Sequence, residues 1–550
     1  MYNPEAKRQG NLLTVNGDTM EKEKRWAALN YRTYKDAKAN FRWSERWMIF
    51  DGGKEAFNIA HECIDRHLKS DTALRIKFDD RSSRIYTFNE LSRLSSQFAN
   101  LLEKKGIGFG DRVAVLLFPS LEFYVSMFGV YKRGAVLIPC FPLFGPEAIN
   151  YRLKDAKVNT LVTTRDKTDL IDSELVNDLN LELIYADDLI GALENESDEY
   201  HPRTSASDLC MIQYSSGTTG APKAVRYKHG SITVAAVVMR FAGGLKPEDT
   251  YFCPSSSAWG HGIWYGTISP LIFGKAVGTY SGKFDSEICI EALEEFGITN
   301  MAAISSHYRL MMDSGFAEKS KLKLKTITYT GEAMPREVIK QIKEAWGLVP
   351  YCQFGTTEVG PITLDYAGFE DWVVKPGSIG KPMIGGVKVA IVGEEGNELP
   401  PGNIGQIAVQ RKGRWERVAD KAYMDSDGYF WYVGRTDDVI ISSGYTIGPV
   451  EVEQAIMKHP YIQECAVVGS PDKQRGEIVK AFVKLKVGYP STDKTKKDIQ
   501  GFVKDKLSKH EYPRELEFIE ELPKTADGKI KRKVLKEREE KAKQNIEAFS

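Results

Sequence analysis

Residues 113–118 read Val-Ala-Val-Leu-Leu-Phe and leave no side chain that belongs in water. A strand that is apolar on both sides must be covered on both faces, which is the situation inside a parallel sheet. The surroundings repeat the pattern. Helical spacing over 122–133 leads to a strand at 135–139, a helix at 146–156 and a strand at 160–164. Such alternation predicts βαβ units with helices on both faces of a sheet. Upstream, 59–68 and 91–105 carry helical periodicity, and 73–78 with 84–88 read as hairpin strands. Beyond residue 230 the alternation resumes, with helices over 231–240 and 288–296 and strands over 250–253, 300–304 and 326–329.

The chain has 550 residues, more than one hydrophobic core serves. From about residue 377 the texture changes to short strands with glycine turns, at 387–392 and 404–409, which suggests a small β subdomain. Beyond 434–438 come a helix at 450–458, strands at 465–468 and 480–486, a helix at 497–507 and a strand at 515–519. These make a compact α+β unit of about a hundred residues. The fold class is therefore α/β: a large N-terminal domain of βαβ-type sheets with a β subdomain, then a small α+β domain. The expected divisions are an arm over 1–50 wrapping the body, a main domain over 51–433, a boundary at 434–438 and a C-terminal domain over 439–550. The mixed charges from residue 536 onward read as a solvated helix end.

Lysine plus arginine and aspartate plus glutamate each number 75, so no excess charge points to nucleic acid or an anionic membrane as the main partner. The 7 cysteines include no Cys-x-x-Cys pair, which argues against zinc and a disulfide framework and fits a reducing cytoplasm. The N-terminus lacks the apolar run of a signal peptide. The most apolar region, 113–145, is broken by Pro119, Glu122, Lys132 and Arg133, so no integral membrane segment is expected.

Between the two alternating stretches lies Tyr214-Ser-Ser-Gly-Thr-Thr-Gly-Ala-Pro-Lys223. Leu209, Met211 and Ile212 precede it, so it reads as a loop leaving a short strand. Glycines let backbone N–H groups approach a ligand closely, and nests of such groups bind anions. Ser215, Ser216, Thr218 and Thr219 add hydroxyls beside Gly217 and Gly220, and Lys223 adds a positive charge. The chemistry implied is a grip on a polyphosphate; an exposed Gly/Ser/Thr turn has the same composition. A Walker loop is disfavoured, because that pattern ends Gly-Lys-Ser/Thr, whereas Lys223 follows Pro222 and precedes Ala224.

The stretch resembles the phosphate loop of the adenylate-forming superfamily, which holds acyl-CoA synthetases, peptide-synthetase adenylation domains and luciferases. Further segments resemble the same superfamily in the same order. Gly331-Glu332-Ala333-Met334-Pro335 is similar to the segment that packs along adenine. Phe354-Gly355-Thr356-Thr357-Glu358 is similar to the family's Tyr-Gly-x-Thr-Glu segment, whose threonine touches the α-phosphate and whose glutamate helps hold Mg²⁺. A lone carboxylate plus phosphate oxygens suits that ion. Asp420 takes the place of the aspartate that bonds the ribose hydroxyls, although Val418 and Ala419 depart from the usual Thr-Gly before it.

In the segment 432–446 the resemblance gives Arg435 a ribose contact and Asp437 the role of hinge. It puts Ser443 and Gly444 along the pantetheine channel; Thr446 stands where a basic residue is common. Arg475 and Lys504 are further candidates for CoA contact. Pro523-Lys-Thr-Ala-Asp-Gly-Lys529 resembles the C-terminal lysine motif, in which the lysine neutralises charge as a carboxylate attacks the α-phosphate. Positioning and electrostatics of this kind carry adenylyl transfer. Ser470 to Gly476 and the stretch after it are similar to the medium-chain acyl-CoA synthetase branch.

The resemblance implies a two-step ligation with ATP and CoA as co-substrates, Mg²⁺ as cofactor and a small-molecule carboxylic acid as partner, through a mobile C-terminal domain. The expected acyl pocket holds Trp259, His261, Gly262, His307, Phe354 and Gly355. Acetate-specific relatives narrow it with a tryptophan just before Thr-Glu. Here Gly355 and Thr356 are small, which favours a medium-chain, branched, alicyclic or aromatic acid. Ser256 replaces a common aspartate ahead of the pocket. His229, His261 and His307 are each candidates for lining or for packing. Three alternatives stay open: an acetate- or short-chain-specific CoA ligase, an adenylating enzyme that loads a carrier protein, and a nucleotide-binding module without catalysis.

Overall fold

A computed structural model describes residues 25–214, 222–442, 445–472, 475–507, 512–525 and 528–548. The six-stranded sheet runs in the order Glu182–Tyr185, Thr160–Thr163, Arg112–Leu116, Val136–Pro139, Leu209–Tyr214, Ala224–Lys228. Its first five strands are parallel and the last is antiparallel. The strand at 112–116 meets the expectation of two covered faces. Val113 and Val115 join one apolar cluster, and Ala114 and Leu116 join another with the helix Pro146–Ala156.

The helix Leu121–Arg133 explains why the first cluster is so large. Ser120 caps its start by accepting from Phe123 N at 3.2 Å, and Gly134 closes its end in the left-handed region at φ 74°. Helices buried nearly all round belong to the middle of a protein. This one packs in the cluster that joins Leu137 and Met211 of the six-stranded sheet to Leu74, Tyr251 and Val277 of a second sheet. Lys132 is taken inside with it, its charge answered by Asp65 at 2.7 Å.

The second sheet has nine strands, in the order Lys381–Pro382, Gly360–Leu364, Tyr351–Thr356, Thr326–Thr330, Asn300–Ile304, Tyr251–Phe252, Val277–Ser281, Thr72–Phe78, Ser83–Thr87. The interior is parallel, and antiparallel strands close both ends, one of them the expected hairpin with Thr72–Phe78. The strand expected over 250–253 is only Tyr251–Phe252, and its neighbour Val277–Ser281 was not legible, since its Gly-Thr-Tyr-Ser run carries no apolar alternation. The helix Arg336–Trp346 is not among the expected elements, although Val338, Ile339 and Ile342 give it a buried face.

Residues 25–50 lie against this body. Ala37, Phe41 and Ile49 enter the main cluster, and Arg32 pairs with Glu370 at 3.0 Å. The short strands that follow form a four-stranded antiparallel sheet: Val389–Val392, Gly405–Arg411, Arg414–Met424 and Phe430–Arg435. The last sheet has five strands, with Ile462–Asp472 and Gly476–Leu485 as a long hairpin and Glu515–Phe518 parallel to the latter. The tail departs from expectation. In the helix Arg532–Ala548, Leu535 is buried, and Glu539 is 2% exposed, holding Lys480 at 2.5 Å. The solvated helix end is corrected on one face: Leu535 and Glu539 are buried, the latter beside the largely buried Lys480, whereas Glu537, Arg538, Lys541 and Ala542 are exposed. Among the described residues no helix is long and apolar enough to cross a membrane.

Candidate active site

One cavity of about 1580 Å³ opens where the large body, the four-stranded sheet and the C-terminal unit meet. Its floor is made by carboxyl ends of parallel strands. Asn300–Ile304 leads to Ser306 and His307, Thr326–Thr330 to Gly331, Glu332 and Ala333, and Tyr351–Thr356 to Thr357 and Glu358. Crevices outside such ends are where open α/β sheets bind ligands. Gly331 has φ 94°, so its turn favours glycine, and a Cβ there would lie in ordinary contact, 3.4 Å from Lys529 Cε.

The second wall is the antiparallel pair at 414–435, which places Asp420 opposite Arg435 in register. Tyr432 Oη donates to Asp420 at 3.1 Å, and Arg435 Nε pairs with Asp437 at 2.9 Å. Burial raises the Asp420 carboxyl above its ordinary range, against the pull of Arg435. The Val418-Ala419 departure leaves this turn built by the backbone: Thr436 N donates to Ala419 O at 3.0 Å, and Val418 is buried in the core.

The third wall is a tight turn of the C-terminal unit. Thr525 N donates to Lys529 O at 2.7 Å, Gly528 N to Thr525 O at 2.9 Å, and Lys529 N to Thr525 Oγ1 at 3.0 Å. The Lys529 ammonium reaches into the cavity and lies 5.2 Å from the centre of the Trp259 ring. A cation at that distance is attracted by the indole face.

The cavity thus brings together Lys223, Gly331, Glu332, Ala333, Thr357, Glu358, Asp420, Arg435, Asp437 and Lys529, with Trp259, His261, His307, Phe354 and Gly355. Ser215, Ser216, Gly217, Thr218, Thr219, Gly220, Ser443 and Gly444 lie outside the described residues. Arg475 and Lys504 do not line the cavity; Lys504 lies on the helix Asp493–Lys506, 5.6 Å from the centre of the Tyr512 ring.

Gly262 requires a correction. It is buried and does not line the cavity, and a Cβ there would fall 2.0 Å from Ser256 O, so its role is to let two backbone segments touch. Gly355 lines the cavity, but its small size has a second cause. A Cβ would meet Gly360 O at 2.3 Å across the hairpin 351–364.

The histidines divide. His229 is a packing residue: it is buried, and its Nδ1 accepts from Ile59 N at 3.2 Å. His307 stacks on Phe284 with centroids 3.8 Å apart and planes 4° from parallel. His261 bonds Ser255 Oγ through Nδ1 at 3.0 Å. Burial, then the nearby Lys529 charge, pushes His261 down to about 4, and burial pushes His307 down to about 3, so both are neutral at physiological pH.

Residues that the motifs did not reveal complete the wall. Tyr227, on the strand just after the glycine-rich loop, donates its hydroxyl to Thr357 O at 2.8 Å and so braces the Thr-Glu segment. Phe284, Trp264, Tyr265 and Arg309 line the cavity as well. The place of Tyr227 in an alternating strand was a readable signal; Phe284 follows a Ser-Gly-Lys turn and carried none.

Known proteins similar to this chain include enzymes of one family. A family model described as AMP-binding enzyme matches residues 64–414, and one described as AMP-binding enzyme C-terminal domain matches 451–529. The chain is 33% identical to the acetyl-coenzyme A synthetase of Bacillus subtilis (strain 168) over 92% of its own length and 95% of that protein. It is 35% identical to the mitochondrial acyl-coenzyme A synthetase ACSM3 of Rattus norvegicus, over 88% and 91%. Among solved structures, an acyl-CoA synthetase of Brucella canis is similar with a TM-score of 0.72 at 31% identity, covering 93% of this chain and all of that one (100%). The anthranilate CoA ligase AuaEII in complex with anthranoyl-AMP gives a TM-score of 0.80 at 27% identity over 88% of this chain and 98% of the other. The chain belongs to the AMP-binding enzyme family, and within it to the AMP-forming acyl-CoA synthetases.

Proposed function

We propose that this acid–CoA ligase activates a carboxylic acid larger than acetate: medium-chain, branched, alicyclic or aromatic. The observation that carries the reading is the cavity itself. Its wall beyond the Thr-Glu segment is made of Tyr227, Trp264, Tyr265 and the stacked Phe284–His307 pair. The position before Thr357 is Thr356, with no tryptophan to shorten the space. Ligand sites of this kind are largely apolar with a few placed polar groups.

ATP and CoA are the co-substrates. In the first half-reaction a carboxylate oxygen of the acid attacks the α-phosphorus of ATP, the α–β bridging bond breaks, and acyl-AMP and pyrophosphate form. Lys529 neutralises charge at the α-phosphate, Thr357 donates to it, and Lys223 with the loop 215–220 holds the outer phosphates. Gly331, Glu332 and Ala333 take the adenine side, and Asp420 with Arg435 takes the ribose. Mg²⁺ suits Glu358, a carboxylate on the cavity wall close enough to raise the Tyr227 hydroxyl after burial has done so. When bound, the ion offsets phosphate charge. In the second half-reaction the C-terminal unit turns about Asp437 and withdraws Lys529. The CoA thiolate then attacks the acyl carbonyl and AMP leaves; Ser443, Gly444, Arg475 and Lys504 are the proposed CoA contacts. Seven unpaired buried cysteines support a cytoplasmic setting.

The similarity to an acetyl-coenzyme A synthetase favours a second reading, in which acetate is the substrate. ATP- and CoA-dependent AMP release across acids from acetate to octanoate, with benzoate and cyclohexane carboxylate, separates the two. The expected result is a maximum at the larger acids. A maximum at acetate would overturn the pocket reading and leave the enzyme class in place.

A further inference from the structure

We propose that Arg309 and Glu464 form a latch that holds the C-terminal unit in the pose where Lys529 reaches the cavity. Arg309 belongs to the large body, in the helix Ser305–Asp313 that starts at the carboxyl end of a central strand. Glu464 belongs to the C-terminal unit, in the strand Ile462–Asp472. Arg309 Nη2 and Glu464 Oε1 are 2.6 Å apart, with side chains only 11% and 6% exposed. The contact is ionic rather than a directed hydrogen bond, since Glu464 Oε1 has no hydrogen-bonding partner of good geometry.

The other oxygen of the same carboxylate reaches Lys524 Nζ at 2.8 Å. Lys524 forms a β-bridge with Ile530 and so stands at the base of the turn that carries Lys529. One carboxylate therefore ties the lysine turn to its own sheet and, through Arg309, to the floor of the cavity. Glu332, on that floor, lies in the field of Arg309, Lys529 and Arg532.

The energetics suit a switch. A buried ion pair adds little net stability, because desolvation offsets the attraction, yet leaving one member buried and unpaired is costly. When the C-terminal unit turns, Glu464 keeps Lys524 of its own unit as partner and Arg309 returns to the water of the opened cavity, so neither is left buried and unpaired. The pair thus defines one pose sharply without making it too deep to leave. This inference rests on the two-step reading above, and it makes Arg309 and Glu464 positioning residues for the first step only.

The test measures acid-dependent ATP–pyrophosphate exchange and, separately, thioester formation from supplied acyl-AMP and CoA. Both use an acid that turns over in the panel. Arg309→Met and Glu464→Gln should each lower exchange about tenfold, with thioester formation unchanged or faster. The double variant should be no worse than either single one, as for two members of one contact, and Arg309→Lys should keep most of the exchange. Glu464→Gln is nearly isosteric and keeps the test sound if Arg309→Met fails to fold. Equal loss in both half-reactions, multiplicative loss in the double variant, or unchanged exchange would each overturn the latch. Absence of exchange in the unaltered protein with every acid would instead defeat the two-step reading itself.

Discussion

At the scale of single residues, two glycines mark where backbones crowd. Gly262 and Gly355 both fall in segments read as pocket, and both are held small by a carbonyl oxygen of a neighbouring segment. Gly262→Ala is therefore expected to destabilise the protein by about 3 kcal/mol, through backbone displacement. Chemical denaturation measures this, and a change under 0.5 kcal/mol would remove the packing role. The carboxylates and cations of the site were legible, because their chemistry demands particular residues: Glu358, Asp420, Arg435 and Lys529 all meet at one cavity. Phe284 and Arg309 were not, since their role comes from elements remote in sequence.

At the scale of elements, continuous apolar runs were readable because burial on two faces leaves no other composition. The strand at 112–116 and the helix at 121–133 follow directly from that constraint. The strand Val277–Ser281 escaped because its neighbours alone bury it, and the packed face of the tail helix escaped because Leu535 and Glu539 are buried there amid exposed charges. The proposed hinge is an element of a few residues. Arg435 and Asp437 hold each other across the turn where the strand Phe430–Arg435 ends. Proline there fixes φ near −65° and removes the freedom a swing needs. Asp437→Pro is expected to keep pyrophosphate exchange and to slow thioester formation at least tenfold; unchanged overall turnover would remove the hinge from Asp437.

At the scale of the whole molecule, buried neutral histidines set part of the acid response. Burial pushes His229 down to about 3, below its ordinary value. The unfolded chain takes up a proton there below about pH 6.5 that the folded chain refuses until about pH 3. Stability from this group is thus full at higher pH and falls by about 1.4 kcal/mol per pH unit as pH drops from 6.5. His229→Asn should flatten the pH dependence of denaturation free energy by about one proton between pH 6.5 and 4.5. Equal slopes for the two proteins would show that His229 titrates normally when folded.

At the same scale, the proposed function divides the molecule into a body that holds ATP and acid and a unit that delivers one lysine. The measurement that tests it most directly compares the two half-reactions in Lys529→Ala. Pyrophosphate exchange should fall by at least a hundredfold, since about 2.7 kcal/mol or more of transition-state charge stabilisation is lost. Thioester formation from supplied acyl-AMP and CoA should stay within a few-fold of the unaltered protein. Equal loss of both would contradict the delivery of Lys529 to the first step alone, and with it the turning of the C-terminal unit between the two.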